Sequence, residues 1–453
     1  MNQQDAKFHK MTESPVGRLI CSLAVPCIIS MLVTAFYNMA DTYFVGMLKS
    51  NAATGAVGVV FSMMSIIQAV GFFFGQGSGV YISRCLGQQN YSEASTMAAT
   101  GFVSSLAAGA VICVIGEIFL EPLAYLLGST DTILPYTKDY LRVILLGAPW
   151  MATSLVLNNQ LRFQGSASYA MVGIVTGAVI NIALDPLLMF GCKMGIAGAG
   201  WATIISQFIS FCLLYMCCRR GSNIRISMKN VRIKWFYFVQ IVRGGLPSLS
   251  RQILASFATI CLNNAARGYG DAAIAAMGVV QRIMMFGAST MLGFGQGFQP
   301  VCGINYGARL FNRVKEGFWF CVKYSTIFLV IAGAAGAYFA PQLIALFRDD
   351  PEVIAFGSAA LRFQCLTFWV QGWLVMSAMM QQSTGQTIPA TFSSVARQGL
   401  FFIPSVLILP LFFHETGLQM AQSVADVGTF LVVLPIQFYI LRKLRRECGG
   451  GES

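Results

Sequence analysis

Long apolar stretches recur along the whole chain and are separated by short polar joints. A helix of about 20 apolar residues crosses the hydrocarbon core of a bilayer. Hydropathy, read together with the glycine and proline breakers, predicts an all-α integral membrane fold with twelve spanning helices. Their predicted ranges are residues 17–45, 52–84, 92–120, 134–163, 168–191, 196–217, 238–266, 272–306, 312–339, 353–383, 388–412 and 418–441.

The composition supports this interpretation and narrows the chemistry. The 453 residues are 56% hydrophobic and 11% charged, whereas soluble proteins have about 25% charged residues. The 13 cysteines lie mostly inside apolar runs and form no C-x-x-C pair, which is typical of small buried side chains. Both histidines, His9 and His414, fall outside the predicted spans. We therefore expect no histidine proton relay, no His-metal centre and no cofactor.

The positive charges indicate the orientation. Most of the 30 Lys and Arg residues lie at the termini and in the joints after even-numbered helices. Because basic loops stay inside, both termini are predicted to be cytoplasmic in a multi-pass protein of the cell inner membrane. The net charge of +12 is thus explained by topology and contact with membrane lipids, and no nucleic-acid partner is expected.

The sequence contains two copies of one unit. When the chain is shifted by 220 residues, Phe74–Gly77 falls on Phe294–Gly297, and Gly165 falls on Gly385. Each copy has six predicted helices, so both copies enter the membrane from the same face as parallel repeats. The predicted segments are a cytoplasmic N-terminal segment (1–16), a six-helix bundle (17–217), a cytoplasmic linker (218–237), a second six-helix bundle (238–441) and a cytoplasmic tail (442–453).

The first copy places two acids at membrane depth, Asp41 in helix 1 and Asp185 in helix 5. A charged side chain in mid-bilayer costs about 2.5–3.5 kcal/mol on insertion scales, so each requires an explanation. Asn181 is one helical turn before Asp185, and Thr203 projects from helix 6. If helices 1, 5 and 6 converge, these oxygens form a site for a proton or for Na⁺. The possible accessory residues are Tyr37, Asn38 and Gln207. A hydrogen-bond network that only fixes helix packing is the alternative.

The second copy has mainly positive charges at the corresponding depth. Arg251, Arg282 and Arg397 lie inside predicted spans, and Asp426 is the one acid. A pair between Arg282 and Asp426 is predicted by their similar depth, which would leave Arg251 and Arg397 without an acid. These four residues are candidates for a substrate cavity. Arg251 and Arg397 either bond to backbone carbonyls or Gln252, or they face an aqueous cavity where an anionic group binds.

Several segments resemble those of the multidrug and toxic compound extrusion (MATE) transporters. They are Tyr37–Gly46 in helix 1, the repeated Gly-Gln-Gly segment, Tyr81–Gly87 after helix 2 and Asn181–Pro186 in helix 5. The similarity covers nearly the whole chain, and the bacterial branch with a carboxylate cluster in its N-terminal half is most similar.

The resemblance implies a V-shaped fold of two six-helix lobes and secondary antiport, in which H⁺ or Na⁺ enters as organic small molecules leave. The family's coupling cluster falls on Asp41, Asn181, Asp185 and Thr203, which are also the expected Na⁺ ligands. A monomer is expected. Other members have acids in helices 7, 8 or 10 of the C-terminal half, and this sequence has none there. The arginines of this half argue against assuming a cationic substrate.

Two other functions are weighed against antiport. A flippase for lipids or lipid-linked saccharides of related architecture is the first, because the arginines suit a pyrophosphate. A membrane-embedded enzyme is the second, but its required Ser/His, Asp/Asp or HExxH-type site is not found in the sequence, and no enzymatic activity is expected.

Overall fold

A computed structural model describes residues 3–47 and 51–449, and within these ranges the regular structure is entirely helical. The first half of the chain contains α1 (Gln3–Glu13), α2 (Val16–Gly46), α3 (Asn51–Gly87), α4 (Tyr91–Ile118), α5 (Leu120–Leu126), α6 (Leu134–Phe163), α7 (Ala167–Pro186), a π-helical turn (Leu187–Gly191), α8 (Ile196–Cys218) and a 3₁₀ turn (Met228–Asn230).

The second half contains α9 (Trp235–Arg267), α10 (Asp271–Gly307), α11 (Phe311–Tyr338), α12 (Ala340–Phe347), α13 (Pro351–Thr367), α14 (Val370–Ser383), α15 (Thr387–Val395), a π-helical segment (Ala396–Phe402) and α16 (Ile403–Gly449). The predicted helices agree with these elements to within a few residues, with two exceptions. Residues 353–383 form two helices, α13 and α14, and the predicted joint after residue 412 lies inside α16. The all-helical prediction is confirmed.

The number of membrane crossings follows from length and hydropathy. In the described part of the chain, nine helices are long and apolar enough to span, or ten if α13 and α14, bent by 58°, count as one. One of the nine is the 61-residue run Thr387–Glu447, which bends at the non-helical His414 and is long enough for two crossings. Helix α9 is as long as the others, but Arg243 and Arg251 reduce its hydropathy. The twelve predicted crossings correspond to the nine helices plus three additions: α13 and α14 counted as one span, Thr387–Glu447 counted as two spans, and α9 counted as a span.

Contacts between Cα atoms divide the chain into two compact units. The N unit contains the residues up to Glu13 and Ile29–Gly245, and the C unit contains Ser14–Ile28 and the chain from Leu246 onward. The units thus differ from the predicted bundles, because the start of α2 groups with the C unit and the start of α9 with the N unit.

Glycines explain why these two helix starts pack where they do. A Cβ atom at Gly77 of α3 would overlap the backbone of Ile241 in α9. At the repeat-equivalent position in α10, a Cβ atom at Gly297 would lie 2.5 Å from the Ala24 backbone in α2. Only glycine allows helices to approach so closely. The Gly-Gln-Gly segments of both repeats therefore contain positions of close helix packing.

The same repeat sets the turns between consecutive crossings. Gly165, between α6 and α7, has φ of +77°, and its equivalent Gly385, between α14 and α15, has φ of +76°. This left-handed conformation is easily adopted only by glycine. Within the N unit, α6 packs against α3, α4 and α8, which places the α7–α8 pair beside the centre of the unit.

Candidate functional site

The buried acid Asp185 lies where α7 meets α8 in the N unit. Its side chain is fully buried, and it directly precedes Pro186 and the π-helical turn Leu187–Gly191. Single π-helical turns are frequently found at functional sites. A Cβ atom at Gly177 would already touch Ser206 and Ser210 of α8, so the glycine brings the two helices together. The residues one and two turns further along α7, Asn181 and Asp185, therefore face α8.

The amide of Asn181 links Asp185 to α8. With its nitrogen directed at Asp185, Asn181 donates to Asp185 Oδ2 at 3.0 Å and accepts from the backbone N–H of Thr203 at 3.2 Å. The opposite amide orientation leaves only a 3.4 Å contact with Thr203 Oγ1. All three side chains are buried, and buried amides orient so that both of their ends are satisfied. The predicted association of these three residues is present.

The second acid, Asp41 of α2, is half-buried and lies close enough to Asp185 for their charges to interact. Tyr37, one turn earlier on α2, lies near both carboxylates and Thr203. Neither carboxylate takes part in an ion pair with a described residue. In the described structure, Asp41 Oδ1 and Asp185 Oδ1 are buried without a hydrogen-bond partner. Two acidic oxygens thus remain able to accept a proton or a cation.

Tyr140 of α6 completes the cluster and was not among the site residues predicted from the sequence. Its side chain is fully buried, it interacts electrostatically with both acids and lies near Thr203, and its hydroxyl finds no hydrogen-bond partner among the described residues. A Cβ atom at Gly200 of α8 would lie 2.8 Å from the Tyr140 ring, so this glycine makes room for it. A single tyrosine in an apolar span has no spacing pattern that would distinguish it from a core residue.

A cavity of about 170 Å³ in the N unit reaches this cluster. Tyr37, Asn181 and Gln207 contribute to its wall, and Asn38 is not part of the lining found in the described residues. The other polar lining residues are Thr34, Gln68, Ser154, Asn158, Arg162, Ser206 and Ser210. The apolar lining residues include Met31, Ile67, Phe72, Met151 and Ile174. The two carboxylates lie beside Tyr37 and Asn181 of this wall.

The donor set fits a hard cation only in part. No group of three or more His, Cys, Asp or Glu side chains suited to a metal occurs in residues 3–47 and 51–449. For Na⁺, the uncommitted oxygens of Asp41 and Asp185 and the hydroxyl of Thr203 are suitable ligands. The Asn181 oxygen, by contrast, accepts from the Thr203 N–H. The Na⁺ site at Asp41, Asn181, Asp185 and Thr203 remains a prediction, and the same carboxylates suit protons equally well.

In the C unit, the predicted pair between Arg282 and Asp426 is wrong. Asp426 pairs instead with Arg397, with 2.8 Å between Nε and Oδ1, and Arg282 is exposed. Asp426 also accepts from Gln371 Nε2 at 3.1 Å and from Gln422 Nε2 at 2.9 Å. The expectation that Arg397 has no acid partner is therefore also wrong. Arg397 lies in the π-helical segment between α15 and α16, and hydropathy does not predict this position.

A family model, MatE, matches the chain twice, at residues 26–187 and 247–408. The two matched segments lie in successive halves of the chain and together cover more than half of it. They confirm the duplication predicted from the repeated residues.

Curated relatives are similar over almost the whole chain. A multidrug export protein MepA of Staphylococcus saprophyticus is 27% identical over 448 residues, which are 97% of each chain. The protein of the same name in Staphylococcus aureus is 26% identical over 445 residues, again 97% of each chain.

Solved structures share the fold. An outward-facing multidrug resistance MATE family transporter of the MOP superfamily has a TM-score of 0.91 at 24% identity, covering 96% of this chain and 98% of the other. A MATE structure in the bent conformation has a TM-score of 0.90 at 24% identity, covering 97% of this chain and 98% of the other. At this identity the likeness establishes the fold. With the apolar helices, it identifies a multi-pass membrane protein.

Proposed function

The chain belongs to the MatE family, and from that premise we propose that it exports organic small molecules in exchange for H⁺ or Na⁺, as a multidrug efflux antiporter. In this proposal it acts as a monomer in the inner membrane with both termini in the cytoplasm, and it needs no enzymatic chemistry or cofactor. The names of its relatives, multidrug export proteins, support export as the activity.

The observation that carries the proposal is the carboxylate pair of the N unit. Asp41 and Asp185 interact with each other, and no described cationic side chain pairs with either. Two close carboxylates in a low dielectric do not both remain ionised when no counter-ion offsets their repulsion. The site therefore gains a proton or a metal cation when one is supplied, and its net charge changes by one.

This charge change gives the coupling. When the site faces outward, Asp41 and Asp185 take up H⁺ or Na⁺, and the N unit loses negative charge. An amphipathic organic cation in the adjacent cavity is then held less strongly, because its charge is no longer attracted, and it leaves to the outside. The return to the inward-facing state delivers the proton or Na⁺ to the cytoplasm. Differential binding to two conformations is all that this cycle requires.

The cavity suits such a molecule. Its wall combines the apolar side chains of Met31, Phe72 and Met151 with amides and hydroxyls. The wall also contains Arg162, whose guanidinium donates to Asn159 at 2.7 Å. Methionine and phenylalanine adapt to aromatic ligands of different shapes. A wall that mixes adaptable apolar surface with many hydroxyls and amides offers alternative contacts to different compounds, which is the property that multidrug export needs.

The test is efflux from proteoliposomes with imposed gradients. Ethidium efflux is followed in vesicles that carry a proton gradient alone or a Na⁺ gradient alone, for the wild type, Asp41→Asn, Asp185→Asn and the control Asp139→Asn. Asp139 is an exposed acid on α6. We expect one gradient to drive export by the wild type and the control, and both site variants to lose gradient-driven export. Full export by the Asp41→Asn/Asp185→Asn double variant would refute the coupling role.

A flippase for lipids or lipid-linked saccharides is the second candidate, and the arginines of the C unit favour it. Arg251 and Arg397 are close to each other at membrane depth, as a diphosphate would require. If Arg251→Ala impairs transport more strongly than Asp185→Asn does, flipping of an anionic lipid is favoured over cation-coupled export.

A further inference from the structure

The C unit contains a second cavity, of about 240 Å³, with a wall rich in amides. It lies among α9, α10, α13, α14, the π-helical segment and α16. Its polar residues are Thr259, Gln281, Gln364, Gln371, Arg397, Gln398 and Gln422, and Met277, Met284 and Met285 contribute apolar surface. Five glutamines at one cavity provide many hydrogen-bond donors at fixed positions.

This cavity carries an excess of positive charge. Arg397 lies in its wall and pairs with Asp426 at 2.8 Å. Arg251 lies near Arg397, close enough for the two guanidinium groups to repel each other, and one helical turn before Ala255, which also lines the cavity. No carboxylate of a described residue forms an ion pair with Arg251. Of these two arginines, only Arg397 therefore pairs with an acid in the described structure.

The repeat shows that the two cavities are equivalent parts of the duplicated unit with different polar linings. Under the 220-residue shift, Arg397 corresponds to Gly177 and Asp426 to Ser206, and both N-unit residues line the N-unit cavity. Likewise, the lining residues Gln371 and Gln398 correspond to Met151 and Ala178. The acids of the N unit have no acidic counterpart, because Asp185 corresponds to Ser405. At these lining positions the C-unit cavity has an arginine and two amides where the N-unit cavity has small or apolar residues.

We propose that the C-unit cavity binds the carboxylate or phosphate group of an amphipathic organic anion, with Arg251 and Arg397 as the charged contacts. Binding of the anion is inferred from the cavity alone. That the anion is an exported substrate rests on the proposed function. Arg397 is held by Asp426 through Nε, so its terminal N–H groups remain available for an oxyanion. The glutamines bind the polar part next to the acid group, and the methionines contact the apolar part. An organic cation is repelled by the excess positive charge.

The experiment compares a fluorescent acid with its neutral ester. Binding of dansyl-undecanoic acid and of its methyl ester to the purified full-length protein in uncharged detergent is measured by the increase in dansyl fluorescence. We expect the acid to bind and the ester to bind at least about tenfold more weakly, since a hydrogen bond to a charged group contributes about 1.5–3 kcal/mol. Equal binding of acid and ester would overturn the proposal.

Arg251→Gln is the informative variant. Replacing Arg251 leaves the ion pair of Arg397 and Asp426 intact, so we expect the variant to fold. Gel filtration checks this. We expect about tenfold weaker binding of the acid and unchanged binding of the ester. The matched control is Arg282→Gln, an exposed arginine outside the cavity wall, which should bind the acid as the wild type does. If Arg251→Gln binds the acid as tightly as the wild type, the site is not the one proposed.

Nanodiscs separate the two sources of such an anion. If phosphatidylglycerol in the nanodisc competes with the dansyl acid in the wild type and not in Arg251→Gln, the site binds a lipid headgroup. If phosphatidylglycerol and phosphatidylcholine nanodiscs give the same affinity, it binds a water-borne organic anion. Both results support the site. If the protein does not bind the anion but its gradient-driven ethidium efflux is intact, only this inference is refuted. If the protein binds the anion but no gradient drives efflux, only the proposed function is refuted.

Discussion

The buried ion pair of the C unit predicts a large and specific loss of stability when Asp426 is replaced. Asp426 is 1% exposed and accepts from Arg397, Gln371 and Gln422 at 2.8, 3.1 and 2.9 Å. Asp426→Ala leaves the guanidinium and two amides without their acceptor. Breaking a buried pair from one side costs about 3–5 kcal/mol. Because the Arg397 side chain is 27% exposed, water solvates part of it, and we expect a value of about 3 kcal/mol.

A double-mutant cycle tests the pairing of Arg397 with Asp426. Asp426→Ala, Arg397→Gln and the double variant are unfolded thermally in detergent and followed by intrinsic fluorescence. We expect Asp426→Ala to lower the free energy of unfolding by about 3 kcal/mol, and the double variant to be more stable than Asp426→Ala, because the unpaired charge is gone. Additive losses in the double variant would refute the pairing. Arg282→Gln serves as the control, because the exposed Arg282 does not contact Asp426.

Three further predictions concern packing, the N-terminal helix and the acid cluster. Gly77→Ala should lower the thermal unfolding midpoint in detergent, because its methyl group overlaps the α9 backbone, whereas Gly58→Ala, with open space around it, should not. Burial and the nearby Lys10 lower the pKa of Lys7 from 10.5 to about 8, so α1 binds fewer protons when docked than when undocked between pH 8 and 10.5. The docking of α1 should therefore become more stable as the pH rises through this window. Hydrogen exchange, corrected for intrinsic rates, measures this change, and Lys7→Met should abolish it. Tyr140→Phe should shift the pH dependence of ethidium efflux while preserving the unfolding midpoint; an unchanged profile would exclude Tyr140 from the cluster.

The features that could be predicted from the sequence are those set by the spacing of residues along the chain. Each spanning helix is specified by its own apolar run, so hydropathy alone gives its position. Asn181 and Asp185 are four residues apart on one helix, and that spacing places them on one face in any packing. The exact repeat of Phe74–Gly77 in Phe294–Gly297 likewise indicates the duplication without reference to tertiary structure.

The features that the sequence did not reveal depend on which helices meet. Similar depth suggested Arg282 as the partner of Asp426, but depth does not specify the direction of a side chain around the helix axis, and Arg397 is the one that faces the acid. Tyr140 reaches the acid cluster only because α6 packs against α8 beside Gly200. The start of α2 groups with the C unit because glycine contacts, not hydropathy, decide its neighbours.

The most direct test of cation coupling at Asp41 and Asp185 is the reverse flux. Proteoliposomes are loaded with a pH-sensitive or Na⁺-sensitive dye, without any imposed ion gradient, and an ethidium gradient is applied across the membrane. We expect ethidium movement through the wild type to drive H⁺ or Na⁺ in the opposite direction, and we expect no such counterflow in the Asp41→Asn/Asp185→Asn variant. Counterflow of wild-type size in this variant would contradict the assignment of coupling to the carboxylate pair.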